Sequence, residues 1–105
     1  MSSSVHVVAV LQTKPGLRPQ LEAAFAAVTP AVLAEDGCLR YIATADAVGA
    51  GPNATPYGPD TVVVVEEWAS LAALEAHRTA PHMQAFGASV KDLLAERAVH
   101  VLSAL

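Results

Sequence analysis

The chain has 105 residues, which is enough for one compact domain, spanning 1–105, with a single thin core. Hydrophobic residues make up 53% of it, but aromatic residues only 5% and charged residues only 15%. This composition excludes disorder, and the shortage of charge predicts self-association. The formal net charge is −4 and the six Lys and Arg residues are scattered, so no basic stripe is available for nucleic acid.

Cysteine content and hydropathy further narrow the class of protein to which the chain can belong. The single cysteine, Cys38, excludes a disulfide within the chain and a zinc site made of cysteines. The longest charge-free apolar stretch, 23–34, contains Pro30 and is shorter than the ~20 residues that span a bilayer. The start, Met1-Ser2-Ser3-Ser4, lacks the basic region of a signal peptide. We therefore expect a soluble, cytoplasmic protein with no membrane partner.

The first half of the chain predicts a strand, a helix, a second strand and a long loop. The β-branched run Val5 to Gln12 is typical of a strand covered on both faces. A helix should begin near Arg18, and Pro30 should kink it or restart it with Thr29 as the cap. Gly37 should end it. Residues 38–46 predict the second strand, and the Gly- and Pro-rich residues 47–60 a loop that is long for a hairpin. The apolar positions at helical spacing are Leu21, Phe25, Val28 and Val32.

The second half predicts a strand, a helix in two pieces and a final strand. In the strand Thr61 to Trp68, alternation places Val62, Val64, Glu66 and Trp68 on one face. Ser70 is a plausible N-cap for a short helix, 71–78, and Ala80-Pro81 should break the helical pattern. A longer helix carrying Met83, Phe86, Val90, Leu93 and Leu94 should follow, and then a strand over 98–105.

The resulting order, β-α-β-β-α-β, predicts a ferredoxin-like α+β fold with helices on one face of an antiparallel sheet. Strands this rich in valine would leave the other face apolar and in contact with water. The simplest cover is the same face of a second copy, related by a two-fold axis. We therefore expect an obligate homodimer.

Side chains that could carry chemistry concentrate after the third strand. Trp68 ends that strand, and His77 and His82 lie on either side of the Ala80-Pro81 break, where a pocket between helices and sheet would open. Histidine transfers protons near neutral pH, and tryptophan offers an apolar wall with one N–H donor. Structural roles remain open on the sequence alone: Trp68 as a core residue, His77 as a buried, hydrogen-bonded histidine, and His82 in solvent. No metal site is expected, because the two histidines are five apart and a third ligand is not evident.

A resemblance to a known family rests on these residues. The segment EEWASLAALEAHRTAPHMQAF, residues 66–86, combines Glu66-x-Trp68 with His77-x4-His82, and Gly37-Cys38-Leu39-Arg40-Tyr41 lies upstream. Together they resemble the antibiotic biosynthesis monooxygenase (ABM) family, which includes cofactor-independent quinol monooxygenases. The resemblance implies a ferredoxin-like dimer, the dimeric α/β barrel, with a pocket between helices and sheet in each subunit. It also implies oxidation of a quinol or polyketide-like aromatic molecule by O2, without metal, flavin or other cofactor.

The resemblance further implies roles for individual residues. His77 is expected to act as base or anion partner and Trp68 as donor and stacking wall, with His82, Glu66, Tyr41 and Phe86 binding substrate. The haem-degrading branch is disfavoured, because the positions of its asparagine, tryptophan and haem-ligating histidine hold Val8, His77 and Gly87, and glycine cannot ligate iron.

Two alternatives to the monooxygenase stay open. The first is a dimer that binds a small molecule without catalysis, for example in a stress response. The second is an isomerase of the same fold that uses a histidine to shuttle a proton. Related isomerases act on sugar-like phosphates, and the sequence has no clustered basic pair near the expected pocket to hold one.

Overall fold

The computed structural model describes residues 4–105, and its strands and helices follow the predicted order. The strands are β1 (Val5–Thr13), β2 (Cys38–Thr44), β3 (Thr61–Trp68) and β4 (Leu94–Leu102). The helices are α1 (Arg18–Leu33), α2 (Leu71–Thr79) and α3 (Pro81–Val90). The strands form an antiparallel sheet in the order β2-β3-β1-β4, which confirms the ferredoxin-like α+β fold. The sheet of the single chain is open and does not close into a barrel.

The boundary between α3 and β4 differs from the prediction. Leu93 and Leu94 were expected on the helix, but α3 ends at Val90 and β4 begins at Leu94, four residues before the predicted start. The strand begins early because β1 is nine residues long and its free edge pairs with β4 as far as Thr13 opposite Leu94. The charged residues Glu96 and Arg97 hide this extension in the sequence, since they interrupt the apolar pattern expected of a strand.

Helix α1 is continuous through Pro30, so of the two alternatives predicted for this proline, a kink or a restart, the restart at Thr29 is wrong. Thr29 Oγ1 instead donates to the Phe25 carbonyl oxygen at 2.6 Å, one turn back along the same helix. The chain then turns through Gly37, whose φ of +84° suits glycine. A β-carbon built at Gly37 would lie 2.6 Å from Ala73 Cβ, so this turn packs directly against α2.

The second strand ends at Thr44, two residues earlier than predicted, and the loop therefore covers 45–60. Asp46 closes this loop, because its carboxylate accepts the backbone N–H groups of Tyr57 at 3.0 Å and Gly58 at 2.8 Å. These two hydrogen bonds hold the pKa of Asp46 below its ordinary value. The loop is thus tied across its length by one side chain.

The two faces of the sheet are covered differently. On the face beneath the helices, alternate residues of β1 and β3 are buried, as predicted for β3. They pack against α1 and α2 in one hydrophobic core; its fully buried side chains include Trp68, Leu21, Val7, Val32, Val62 and Val64. No element within the described residues 4–105 covers the opposite face, which we call the open face. None of the helices within 4–105 is long and apolar enough to cross a membrane.

Candidate functional site

A cavity of about 450 Å³ lies between the broken helix α2–α3 and the sheet, the region in which the sequence indicated a pocket. Its lining is largely apolar and comes from the sheet and all three helices, for example Leu11, Phe25, Val64, Met83, Phe86 and Val99. The rings of Phe25 and Phe86 pack at 4.8 Å between centroids. The volume and the apolar lining are typical of a small-molecule binding pocket.

His77 is the buried histidine of this cavity. Its Nδ1 lies 2.9 Å from Glu35 Oε2, and its ring lies between Trp68, at 4.5 Å between centroids, and Tyr41, at 5.7 Å. The carboxylate of Glu35 accepts the N–H of Nδ1, which fixes the tautomer of a neutral imidazole. Because Nδ1 is bound in this way, Nε2 is the nitrogen that remains for a molecule in the cavity.

The same carboxylate oxygen also binds the second histidine. His82 Nε2 lies 2.7 Å from Glu35 Oε2, and the His82 side chain is 30% exposed, against 7% for His77. Spacing along the sequence placed the two histidines off a common helical face, but α2 and α3 are separate helices. Both imidazoles therefore converge on the α1–β2 turn. Glu35 lies between them and is partly buried, with 12% of its side chain exposed.

Glu66 supplies a second carboxyl group to the cavity. Its Oε1 accepts the indole N–H of Trp68 at 2.9 Å, and 6% of the residue is exposed. Burial raises the pKa of Glu66, and the smaller effect of the Trp68 hydrogen bond acts in the opposite direction. Burial, followed by the negative charges of Glu66 and Glu35, also raises the pKa of Tyr41 far above its ordinary value, so this phenol keeps its proton at neutral pH.

The structure brings four of the six predicted site residues to the cavity wall: His77, Glu66, Tyr41 and Phe86. His82 lies behind His77 and reaches it through Glu35. Trp68 is fully buried and its indole N–H is bound to Glu66, so the predicted role as donor to a substrate does not fit this geometry. Its stacking against His77 places it one layer behind the cavity.

Glu35 is the site residue that sequence reasoning missed. It follows α1 and lies 42 residues before His77, in the Glu35-Asp36-Gly37 segment that signals the end of a helix. No motif links a turn residue to a histidine at that separation. Glu35 and His77 come into contact only in the folded chain, because Gly37 lets the turn approach α2 closely.

Positive charge also gathers at the cavity in a way the sequence did not indicate. Arg78, Lys91 and Arg97 all line it, and all three are exposed at its margin. Along the chain they are separated, so no basic pair was visible near the pocket, but the fold places all three in the lining of one cavity. The expectation of a cavity without clustered basic residues is therefore wrong.

Within residues 4–105, no group of three or more His, Cys, Asp or Glu side chains is arranged to hold a metal ion. Of the positions compared with the haem-degrading branch, Gly87 lines the cavity. Val8 instead pairs with Val65 and His100 on the open face, away from the cavity.

Fold and cavity together define a small α+β protein that encloses an apolar pocket between a four-stranded antiparallel sheet and its helices. The sequence model of the antibiotic biosynthesis monooxygenase family matches residues 4–89. The chain therefore belongs to that family, as the resemblance implied.

Individual relatives are similar to this chain in sequence or in fold. The probable quinol monooxygenase YgiN of Escherichia coli K12 is 38% identical over 98 residues, which are 91% of this chain and 93% of YgiN. The structure of Rv0793 from Mycobacterium tuberculosis is 34% identical and superposes with a TM-score of 0.81 over 98% of this chain and 96% of that one. PA3566 from Pseudomonas aeruginosa, at 27% identity, gives a TM-score of 0.83 over 100% and 97% of the two chains.

Proposed function

We propose that the protein is a cofactor-independent monooxygenase that oxidises a quinol or polyketide-like aromatic molecule with O2. The observation that carries the proposal is a buried His77 with one ring nitrogen bound to Glu35 and the other left for an apolar cavity. Family membership and the similarity to YgiN support it.

The chemistry needs a base and a dry, shaped pocket. His77 Nε2 accepts the proton of a phenolic hydroxyl, and the resulting electron-rich anion can transfer an electron to O2. A quinol with one free ring carbon then reacts with O2 to give a hydroxyquinone and water. One oxygen atom forms the new C–O bond, the other leaves as water, and the substrate supplies all the electrons. As written, the reaction requires neither metal nor flavin.

Glu35 acts in this proposal as the positioning residue. Its carboxylate holds the His77 tautomer that leaves Nε2 unprotonated, and it stabilises the imidazolium that forms when Nε2 takes the proton. His82 donates to the same oxygen and fixes the carboxylate. Glu35 therefore links a buried base to a half-exposed histidine.

The remaining predicted site residues have binding roles. Tyr41 keeps its O–H and can donate to a substrate oxygen, while Glu66 presents a carboxyl group held in place by Trp68. Phe86, packed on Phe25, supplies the wall against which an aromatic ring can lie. An aromatic ring in the cavity would therefore contact mostly apolar side chains and only a few polar groups.

We also propose that the protein works as a homodimer in the cytoplasm, joined through the open faces of two sheets. Support for the dimer is the apolar centre of that face, where Val65 is 37% and Ile42 48% exposed in the single chain. Fractionation of cells that express a tagged chain tests the location. Light scattering that gives the mass of a single chain across a wide concentration range would contradict the dimer.

Oxygen consumption with a panel of hydroquinones tests the activity. We expect the wild-type protein to consume O2 above the rate of spontaneous oxidation, and His77→Ala to lower kcat/KM by about 10²–10⁴-fold. His100→Ala is the matched control, because it removes a histidine that pairs opposite Val8 on the other face of the sheet. Circular dichroism and light scattering check that both variants keep the fold and the oligomeric state.

Glu35→Gln separates positioning from packing, because it preserves shape and removes charge. We expect kcat to fall by about 10- to 100-fold while KM changes little.

If wild type and His77→Ala consume O2 equally, His77 is not the base. If no hydroquinone is oxidised but one still binds, the binding-only alternative replaces the monooxygenase, and proton exchange into a bound substrate without O2 uptake would favour the isomerase.

A further inference from the structure

The charged residues that line the cavity are mostly basic, whereas the chain as a whole has a negative net charge. The protein carries a formal net charge of −4 and has six Lys and Arg residues. Three of those six, Arg78, Lys91 and Arg97, line this one cavity, and the acidic residue among the lining side chains is Glu66, which is buried at the base of the site. Half of the basic residues of a negatively charged protein therefore line this one cavity.

Two of these cations have no acidic partner in the part of the chain that the structure describes. Arg78 pairs with Glu75 at 3.2 Å, one turn back on α2. Lys91 and Arg97 form neither an ion pair nor a side-chain hydrogen bond with any residue from 4 to 105. Their positions at the end of α3 and in β4 put both on the exposed margin of the cavity.

A second recess on the same molecule provides an internal comparison. The groove between α1 and β2 is lined by apolar and small polar residues such as Ala26, Thr29 and Ile42, and its charged lining residue is Glu22. The cations therefore do not line every recess of this protein. They lie at the cavity that also holds His77.

We propose that the cavity binds an aromatic molecule that carries a carboxylate group, with the ring among the apolar side chains and the carboxylate at the margin beside Lys91 and Arg97. The inference rests on the proposed function only in assigning the ligand to the same cavity. The planar guanidinium of Arg97 suits a carboxylate, with which it can form two parallel hydrogen bonds. The apolar lining disfavours a small hydrophilic phosphate ester, which would leave most of that surface without a partner.

The arrangement also orients the substrate. With the carboxylate at the margin, the opposite part of the ring system extends toward His77 and Glu66 at the base of the cavity. The negative charge of the substrate then stays away from the carboxylates of Glu66 and Glu35, which would repel it. An anionic group at one end thus selects which hydroxyl group faces the base.

Binding of a matched pair of ligands tests this inference without any turnover. The probes are 2-naphthoate and 2-naphthamide, which have the same ring and similar shapes but differ in charge, and titration calorimetry gives both affinities. We expect 2-naphthoate to bind about tenfold more tightly at low salt, because a charge-assisted contact is stronger than a neutral one. The ratio should fall as salt is added, since these cations are exposed.

The double variant Lys91→Gln/Arg97→Gln should bring the ratio close to one, by weakening naphthoate binding and leaving naphthamide binding unchanged. Arg18→Gln is the matched control, because it removes a cation that pairs with Glu22 on α1 and does not line the cavity. In this control the ratio should be that of the wild type.

Three results would overturn the inference: equal affinity for the two probes, binding of neither, or a preference for naphthoate that survives in the double variant. If the double variant instead changes the mass measured by light scattering and leaves the ratio unchanged, the cations face a second copy and the inference is wrong. A preference for naphthoate without O2 consumption on any hydroquinone keeps the ligand class and removes the monooxygenase, so the two proposals can fail separately.

Discussion

The two faces of the sheet are both rich in valine, but they differ in what covers them and in the polar groups they hold. Beneath the helices, Glu66 and His77 are buried with the valines, and each has a hydrogen-bond partner. On the open face, Val8, Val10, Val63 and Val65 pair across the centre of β1 and β3. Polar residues surround this centre: His6, Gln12, Arg40, Glu67, Glu96 and His100.

The difference shows how one strand pattern can serve two purposes. Strand side chains alternate, so each strand contributes to both faces at once. The covered face can bury polar groups because the helices and the α1–β2 turn supply partners for them. Nothing within residues 4–105 supplies such partners on the open face, which is apolar in the middle and polar at the edge, the pattern that the proposed homodimer requires.

The largest expected effect comes from placing a charge in the centre of the open face. Val65→Glu should weaken self-association by about 100-fold or more, because a buried, unpaired carboxylate cannot be solvated in an interface between two sheets. Light scattering over a range of concentrations measures the change. Val48→Glu is the matched control, since Val48 is fully exposed in the loop 45–60 and the same substitution there should leave the mass unchanged. An unchanged mass for Val65→Glu would show that this face is not the interface.

On the covered face, truncation of a core side chain gives the next largest effect. Leu21 on α1 is completely buried, so Leu21→Ala should lower the free energy of unfolding by about 2–5 kcal/mol through lost burial and the cavity left behind. Leu71→Ala on α2 makes the same change at a side chain that is 64% exposed and should cost less than about 1 kcal/mol. Urea denaturation compares the two. Equal losses would contradict the burial that separates these two leucines.

The covered face could be predicted from the sequence to the extent that its patterns are local. Strand and helix periodicity, the Ser70 cap and the Ala80-Pro81 break placed most elements, and the Ser70 hydroxyl does accept the Ala73 N–H at 3.1 Å. Two features depended on distant contacts and could not be predicted. One is the early start of β4, which follows from the free edge of β1. The other is the convergence of His77 and His82 on Glu35, which depends on how the turn at Gly37 packs against α2.

Substitution of Gly37 tests the convergence of the two histidines on Glu35. Gly37→Ala should destabilise the fold for two reasons: a φ of +84° disfavours a side chain, and the new Cβ would meet Ala73 Cβ at 2.6 Å. Gly16→Ala has a similar φ of +80° with nothing within 4 Å, so it reports the backbone cost alone, about 1–2 kcal/mol. We expect Gly37→Ala to cost about 1–3 kcal/mol more in urea denaturation. It should also lower the rate of O2 consumption, because Glu35 lies in the displaced turn. Equal costs for the two variants would contradict the close contact with α2.

The smallest effect concerns the buried carboxyl group of Glu66. Its pKa is raised in the folded protein, so between the unfolded and the folded pKa the native state binds more protons than the unfolded chain. The unfolding free energy contributed by this group is therefore greatest below the unfolded pKa and falls as pH rises through the folded pKa. Glu66→Gln keeps an oxygen that can accept the Trp68 N–H and removes the titration. The variant should gain stability relative to wild type as pH rises from 4 to 7, measured by thermal denaturation at each pH. A difference that is constant over this range would contradict the raised pKa, and with it the claim that the covered face keeps this carboxyl group away from water.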